Sequence, residues 1–183
     1  MKNIFKQNIN HGVFSWDQLG DLKDGRSKLG DKMPVLIYRL MQFTLLDVMN
    51  KKYGREEAND LLREAGRLAG GEFVRNLLDT SVGFNEFIYD LQNVLEEYKV
   101  GLLRIEATNE DASNITLTFG EDLDCSGLPI SGETVCDYDE GFFAGILEAY
   151  AGVAYNVKEI DCWADGDRIC RFNCVADRRS ELL

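Results

Sequence analysis

The sequence predicts an α+β fold, with helices packed on a mostly antiparallel sheet. Three observations predict it. Apolar residues recur at helical spacing from residue 35 to about residue 100. After Gly101 the period shortens to strand alternation in "LLRIEAT" and "NITLTFG". One more helical run then precedes a closing pair of strand-like runs, so helices and hairpins segregate along the chain as they do in α+β domains.

Taken in order, residues 1–33 are rich in Gly, Lys and Asp and read as an N-terminal extension, with Pro34 placed to open a helix. "VLIYRLMQFTLLDVMNKKYG" is apolar around most of its circumference, interrupted by Arg39, Gln42, Thr44 and Asp47. Such a helix is expected to be buried on more than one side, between the core and a partner subunit. Gly54 stops it. "REEANDLLREAGRLAGGEFVRNLL" spaces Ala58, Leu61, Leu62, Ala65, Leu68, Ala69 and Phe73 as one helix face. Gly66 and Gly70 cost helix propensity, about 1 kcal/mol each, which close approach of a neighbouring element would offset. "NEFIYDLQNVLEEYKVG" turns Phe87, Ile88, Leu91, Val94, Leu95 and Tyr98 inward and ends at Gly101. The two strands meet at "NEDAS", residues 120–132 read as loop, and "DYDEGFFAGILEAYAGV" is the fourth helix. "AYNVKEIDCWA" and "RICRFNCVA" close the fold as a hairpin around "DGD". The organisation expected is an extension over 1–33, one ligand-binding domain over 34–176 and a tail over 177–183.

A chain of 183 residues buries a sizeable core without disulfides. Its net charge of −12 repels phosphate backbones and anionic lipid, which argues against direct nucleic-acid or membrane binding. No apolar run reaches membrane-spanning length and the N-terminus lacks a signal-peptide apolar region, so a cytoplasmic, reducing location is expected.

Four of the five cysteines fall between Glu133 and Cys174, in a setting where thiols are rarely bridged. Cys162 and Cys170 lie on the two arms of the predicted hairpin, and Cys136 stands at a helix start, where the dipole favours a thiolate. Glu159 precedes Cys162 by three residues, so the two share a site only if the strand bulges or twists. Three readings fit this spacing: buried reduced thiols, a Cys162–Cys170 disulfide, and a tetrahedral metal site.

The stretch "EGFFAGILEAYAGVAYNVKEIDCWADGDRICRFNC" resembles the C-terminal signature of the 4-vinyl reductase domain family: a Gly-containing helix, then Glu-x-x-Cys, Gly-Asp and Cys-x-Phe. That family includes a bacteriochlorophyll-biosynthesis protein and the sensor domains of phenol- and toluene-responsive transcription activators. The likeness extends, by architecture, over about residues 35–176. It implies the ligand-binding fold shared with TRAPP trafficking subunits and haem-based nitric-oxide sensors, and frequent dimerisation. It also implies structural zinc held by three cysteines and one glutamate, here Cys136, Glu159, Cys162 and Cys170. Cys174 and Cys125 are then core or loop thiols. The resemblance places a pocket on the fourth helix, for which Tyr38, Phe73, Phe142, Phe143, Leu147 and Trp163 are the candidate wall, with Gly145 leaving room.

No dinucleotide fingerprint or P-loop is present. The single histidine, His11, lies outside the matched region, and the acidic "DYDE" reads as a helix N-terminus. No candidate wall residue could perform chemistry on a substrate. The expectation is therefore a non-catalytic, zinc-stabilised homodimer that binds or senses an apolar, aromatic or hydrocarbon molecule. A tetrapyrrole carrier or vinyl reductase-like enzyme, and a ligand-free scaffold dimer, are the alternatives.

Overall fold

The computed structural model describes residues 13–177. His11 and all of the expected tail but Asp177 lie outside them. The chain divides into two compact units, Met1–Pro34 and Val35–Leu183. In the first, a 3-10 turn at Trp16–Leu19 precedes a single helical turn, α1 (Leu22–Gly25), capped by the Asp21 carboxylate, which accepts from the Lys23 and Asp24 amides.

The second unit contains α2 (Val35–Tyr53), α3 (Arg55–Leu77), α4 (Phe84–Glu97), β1 (Leu102–Thr108), β2 (Asn114–Gly120), α5 (Asp137–Ala151), β3 (Ala154–Asp161) and β4 (Cys170–Asp177). The strands form one antiparallel sheet in the order β1-β2-β4-β3. The α+β class expected from the sequence is the class observed. Alternation places Leu103, Ile115, Leu117, Phe119, Tyr155, Val157, Phe172 and Cys174 in the core. Phe87, Ile88, Leu91 and Leu95 of α4 and Phe142, Phe143, Ile146 and Leu147 of α5 join the same cluster.

Glycine decides how α5 meets α3. A methyl group on Gly66 or Gly70 would overlap the carbonyl oxygen of Tyr138 or Phe142, and one on Gly141 or Gly145 would overlap that of Arg63 or Arg67. Two i,i+4 glycine pairs thus face each other across parallel helices and let the backbones touch. Arg63 secures one end: its Nε donates to Glu140 Oε2 at 2.9 Å and its guanidinium also bonds Asp137 and Asp60.

Helix α2 departs from expectation. None of its residues is buried in the chain alone, and Leu36, Leu40 and Met41 are 74%, 59% and 61% exposed. Residues that interrupt its apolar surface help to dock it. Arg39 donates to the carbonyls of Leu123 and Ser126, and Tyr38 and Gln42 bond Asp124, so α2 is held to the connection after β2 by polar contacts.

The closing hairpin is also looser than "DGD" implies. After β3 the chain passes through a 3-10 turn, Trp163–Asp165, before β4 begins at Cys170. Cys162 therefore lies past the end of the paired strand, and Cys170 pairs across to Phe119 of β2.

Candidate metal centre

Four elements converge at one end of the sheet. Residues 121–136, between β2 and α5, carry Asp122, Asp124, Cys125 and Cys136. This segment is pinned by Leu123 N–H to the Val100 carbonyl at 2.9 Å, and by Asp124 N–H to Asp122 Oδ1 at 2.8 Å. Cys136 is the N-cap of α5, as the sequence placed it. Cys162 follows β3, and Cys170 opens β4 on the inward face.

The sulfurs of Cys125, Cys136, Cys162 and Cys170 all lie within 4.8 Å of one another, and all four residues are buried. All five cysteines are free thiols. Cys136 Sγ is 3.8 Å from Cys162 Sγ and 3.9 Å from Cys170 Sγ, while Cys125 and Cys170 are 3.0 Å apart. Cys174 is buried on the same strand face as Cys170 but is not in the cluster, and its desolvated thiol is pushed up to about 12. Within the cluster, hydrogen bonds from the Cys125, Cys136 and Cys170 thiols drive the Cys162 thiol down. The same crowding, led by Cys125, drives Cys136 up. The quartet shares its protons unequally, with Cys162 the readiest thiolate.

Glu159 lies beside the quartet rather than in it. The strand is irregular between Glu159 and Asp161, which is the bulge the sequence required, and Glu159 faces inward. Its Oε2 accepts from the Cys136 amide at 3.1 Å, and its own amide donates to Glu140 Oε1 at 2.9 Å. Oε1 is buried with no partner. Burial, with the Cys162 thiol adding to it, pushes the Glu159 carboxyl up to about 8, against the Cys136 contacts.

Cys125, read from sequence as a core or loop thiol, belongs to the cluster, 3.2 Å from Asp122 Oδ2. Sequence reasoning also missed Asp122, Asp124, Asp139 and Glu140, all buried. "DYDE" is a helix start, but half of it faces inward. The legible signal was three acids flanking a cysteine in "GEDLDCSG", more acid than a solvated turn requires.

The candidate wall residues form packed core. Phe73 meets Phe142 edge-on at 5.4 Å, and Phe143 meets Phe119 and Phe172 at 5.1 Å each. Leu147 is buried among them. Tyr38 stands apart on the Asp124 carboxylate, and Trp163 donates its Nε1–H to the Leu128 carbonyl at 3.0 Å. Gly145 makes room for the α3 backbone, so close packing accounts for it. It also borders a surface groove of about 420 Å³ whose lining is charged as well as apolar, with Glu64, Arg67, Arg75 and Glu148.

The fold and the site define a class: an α+β domain whose helices cover one antiparallel sheet, with a buried thiol cluster where its last two strands meet the helix before them. The chain belongs to the vinyl-4-reductase (V-4-R) domain family. The family's domain matches residues 115–176, which carry α5 with Gly141 and Gly145 and the whole of the thiol cluster. The protein MJ1642 of Methanocaldococcus jannaschii is 31% identical over 156 residues, covering 84% of this chain and 86% of that one. Two solved structures share the fold. The phenol-responsive sensory domain of the transcription activator PoxR, with phenol, is 16% identical at a TM-score of 0.61, over 79% of this chain and 77% of that one. A trafficking protein particle complex subunit 3 from Naegleria fowleri, covalently bound to palmitic acid, is 12% identical at 0.63, over 79% and 95%. This is the sensory-domain and TRAPP-subunit fold that the resemblance implied. No described helix is long and apolar enough to cross a membrane.

Proposed function

We propose that this protein is a zinc-stabilised, non-catalytic small-molecule-binding or sensing domain. One observation carries the metal: four buried sulfurs gathered within 4.8 Å. A zinc–sulfur bond of about 2.3 Å puts tetrahedral sulfurs about 3.8 Å apart. The spacings from Cys136 to Cys162 and Cys170, 3.8 and 3.9 Å, meet that requirement. Two groups compete for the fourth place. Cys125 has its sulfur in the cluster, and Glu159 has an unpaired buried oxygen beside it. We assign the place to Cys125, with Glu159 fixing the N-cap through the Cys136 amide. A closed shell of four protein ligands is structural and leaves no open position for chemistry. Zinc would join the segment after β2, α5 and both closing strands.

The ligand reading is supported by the fold shared with a sensory domain solved with phenol and a subunit carrying palmitic acid. An apolar or aromatic molecule is the class we infer. The homodimer is supported by α2, where Val35, Leu36, Ile37, Leu40, Met41 and Leu45 expose large side chains on a helix with no buried residue. A contiguous apolar surface of this kind marks an interaction site.

Native mass spectrometry of the purified protein tests these parts together. The expected result is a dimer with zinc on each chain and a retained or added aromatic ligand. Metal-free protein that is folded and fully stable would overturn the centre.

A further inference from the structure

We propose that Asp122, Cys136 and Asp139 form a second cation site, which shares the Cys136 sulfur with the four-cysteine centre. The inference rests on the metal reading above, because it takes Cys136 as a thiolate already held by one ion.

The geometry comes first. One ligand atom from each of these three residues lies within 4.8 Å of the other two, and all three residues are buried. Asp122 Oδ2 is 3.5 Å from Cys136 Sγ. With metal–sulfur and metal–oxygen bonds of about 2.3 and 2.0–2.2 Å, an oxygen and a sulfur on one tetrahedral ion lie about 3.5 Å apart. The three donors reach the point from different places in the fold. Asp122 comes from the segment after β2, Cys136 from the N-cap of α5, and Asp139 from the first turn of that helix.

A second observation points to a ligand independently of that spacing. Asp139 is 3% exposed, and its Oδ2 has no hydrogen-bond partner. A place in the first turn of a helix favours an acid, but it does not supply this oxygen with a donor. Buried acceptors are almost always paired, and an orphan marks a missing group.

The charge pattern agrees. Among the described residues, neither Asp122 nor Asp139 takes part in an ion pair, although ten pairs bind acids elsewhere. Arg39 reaches this segment, but its donors go to the backbone carbonyls of Asp122, Leu123 and Ser126. Asp122 Oδ2 accepts from the thiols of Cys125 and Cys136. Metal binding removes thiol protons. Loading the four-cysteine centre therefore takes away the donors of Asp122 Oδ2 and leaves two carboxylates against an anionic thiolate shell. A second cation resolves this, with Cys136 bridging. One thiolate and two carboxylates suit a borderline divalent ion such as Zn²⁺ or Cd²⁺ better than Mg²⁺ or Ca²⁺, which take oxygen ligands.

The test counts ions. The full chain is titrated with Zn²⁺ alone, and native mass spectrometry reads the bound number. Two ions per chain is the expected result, falling to one in Asp139→Asn and in Asp122→Asn. A single ion in the saturated wild-type chain overturns the second site and leaves the four-cysteine reading intact, whereas no ion overturns both. Two ions retained in both variants also overturn it. Should a variant fail to fold, cadmium-113 NMR of the wild-type chain decides. Two resonances, one at the position of a thiolate-rich site and one shifted by mixed oxygen and sulfur ligation, support the proposal, and one resonance refutes it.

Discussion

The Tyr38 hydroxyl donates to Asp124 Oδ1 at 2.7 Å, across 86 residues of chain, and this bond joins the exposed helix α2 to the segment that carries Cys125. Gln42 Nε2 donates to the other oxygen, Asp124 Oδ2, also at 2.7 Å. The carboxylate is satisfied but buried, and Gln42 Oε1 has no partner. Burial, then repulsion from Asp122, pushes the Asp124 carboxyl up from 3.8 to about 6 against these two bonds.

The first prediction follows from that shift. A carboxyl whose folded pKa is raised holds its proton more tightly folded than unfolded. Its contribution to stability is fully present below about pH 4, the unfolded value, and is lost as pH rises through about 6. A proton on Asp124 could bond Gln42 Oε1 after an amide flip, and a side-chain amide at position 124 could do the same. Asp124→Asn is therefore expected to remove the part of the stability change between pH 4 and 6 that wild type owes to this group. Urea titrations at several pH values check this. A wild-type-like pH slope in Asp124→Asn would refute it.

The second prediction concerns metal ligation. Cys162→Ser and Cys125→Ser should each lower zinc occupancy and melting temperature, and Cys174→Ser should leave occupancy unchanged. Structural zinc is worth about 10–16 kcal/mol in peptides that depend on it to fold. Here most of the core forms without it, so a smaller loss is expected. Glu159→Gln should keep the metal, because Oε2 is replaced by an acceptor for the Cys136 amide. The reverse pattern, full occupancy in Cys125→Ser and loss in Glu159→Gln, would give the fourth place to Glu159.

Third, the glycine contacts between α3 and α5 should be intolerant of a single methyl group. The obstacle at Gly66, Gly70, Gly141 and Gly145 is a backbone carbonyl, which cannot rotate away. Overpacking costs about 1–3 kcal/mol, and a backbone clash belongs at the upper end. Gly141→Ala is thus expected to lower the melting temperature by roughly 6–12 °C at about 2–4 °C per kcal/mol. Gly83→Ala is the control: that position has open space and an ordinary backbone. Equal melting temperatures for the two variants would contradict the packing account.

These particulars show what was legible in the sequence. Periodicity found each strand and long helix because helix spacing and strand alternation are local properties. The vinyl reductase-like signature drew Cys136, Cys162 and Cys170 together because the motif and its flank span the elements that carry them. Cys125 escaped because its approach to Cys170 is a tertiary contact made by an irregular segment, and no period reports that. Asp139 and Glu140 escaped because an acid in a first helical turn has a sufficient local reason to be there. Apolar character likewise said that α2 must be covered, but not that Tyr38, Arg39 and Gln42 would turn toward the domain.

The last prediction follows from that orientation. With its polar residues bound to the segment after β2, α2 presents Leu36, Leu40 and Met41 outward. Hydrophobic burial yields roughly 25 cal/mol per Å², so an apolar helix face offers a second copy a substantial association energy. A single apolar ligand would cover only part of a helix of 19 residues. We therefore expect light scattering to show a dimer at micromolar concentration. Replacing Leu40 and Met41 by Glu together should give a monomer that keeps its metal, since neither side chain takes part in the docking bonds of Tyr38, Arg39 and Gln42. A wild-type monomer under these conditions would exclude the dimer. A dimer unchanged by both substitutions would place its interface away from α2.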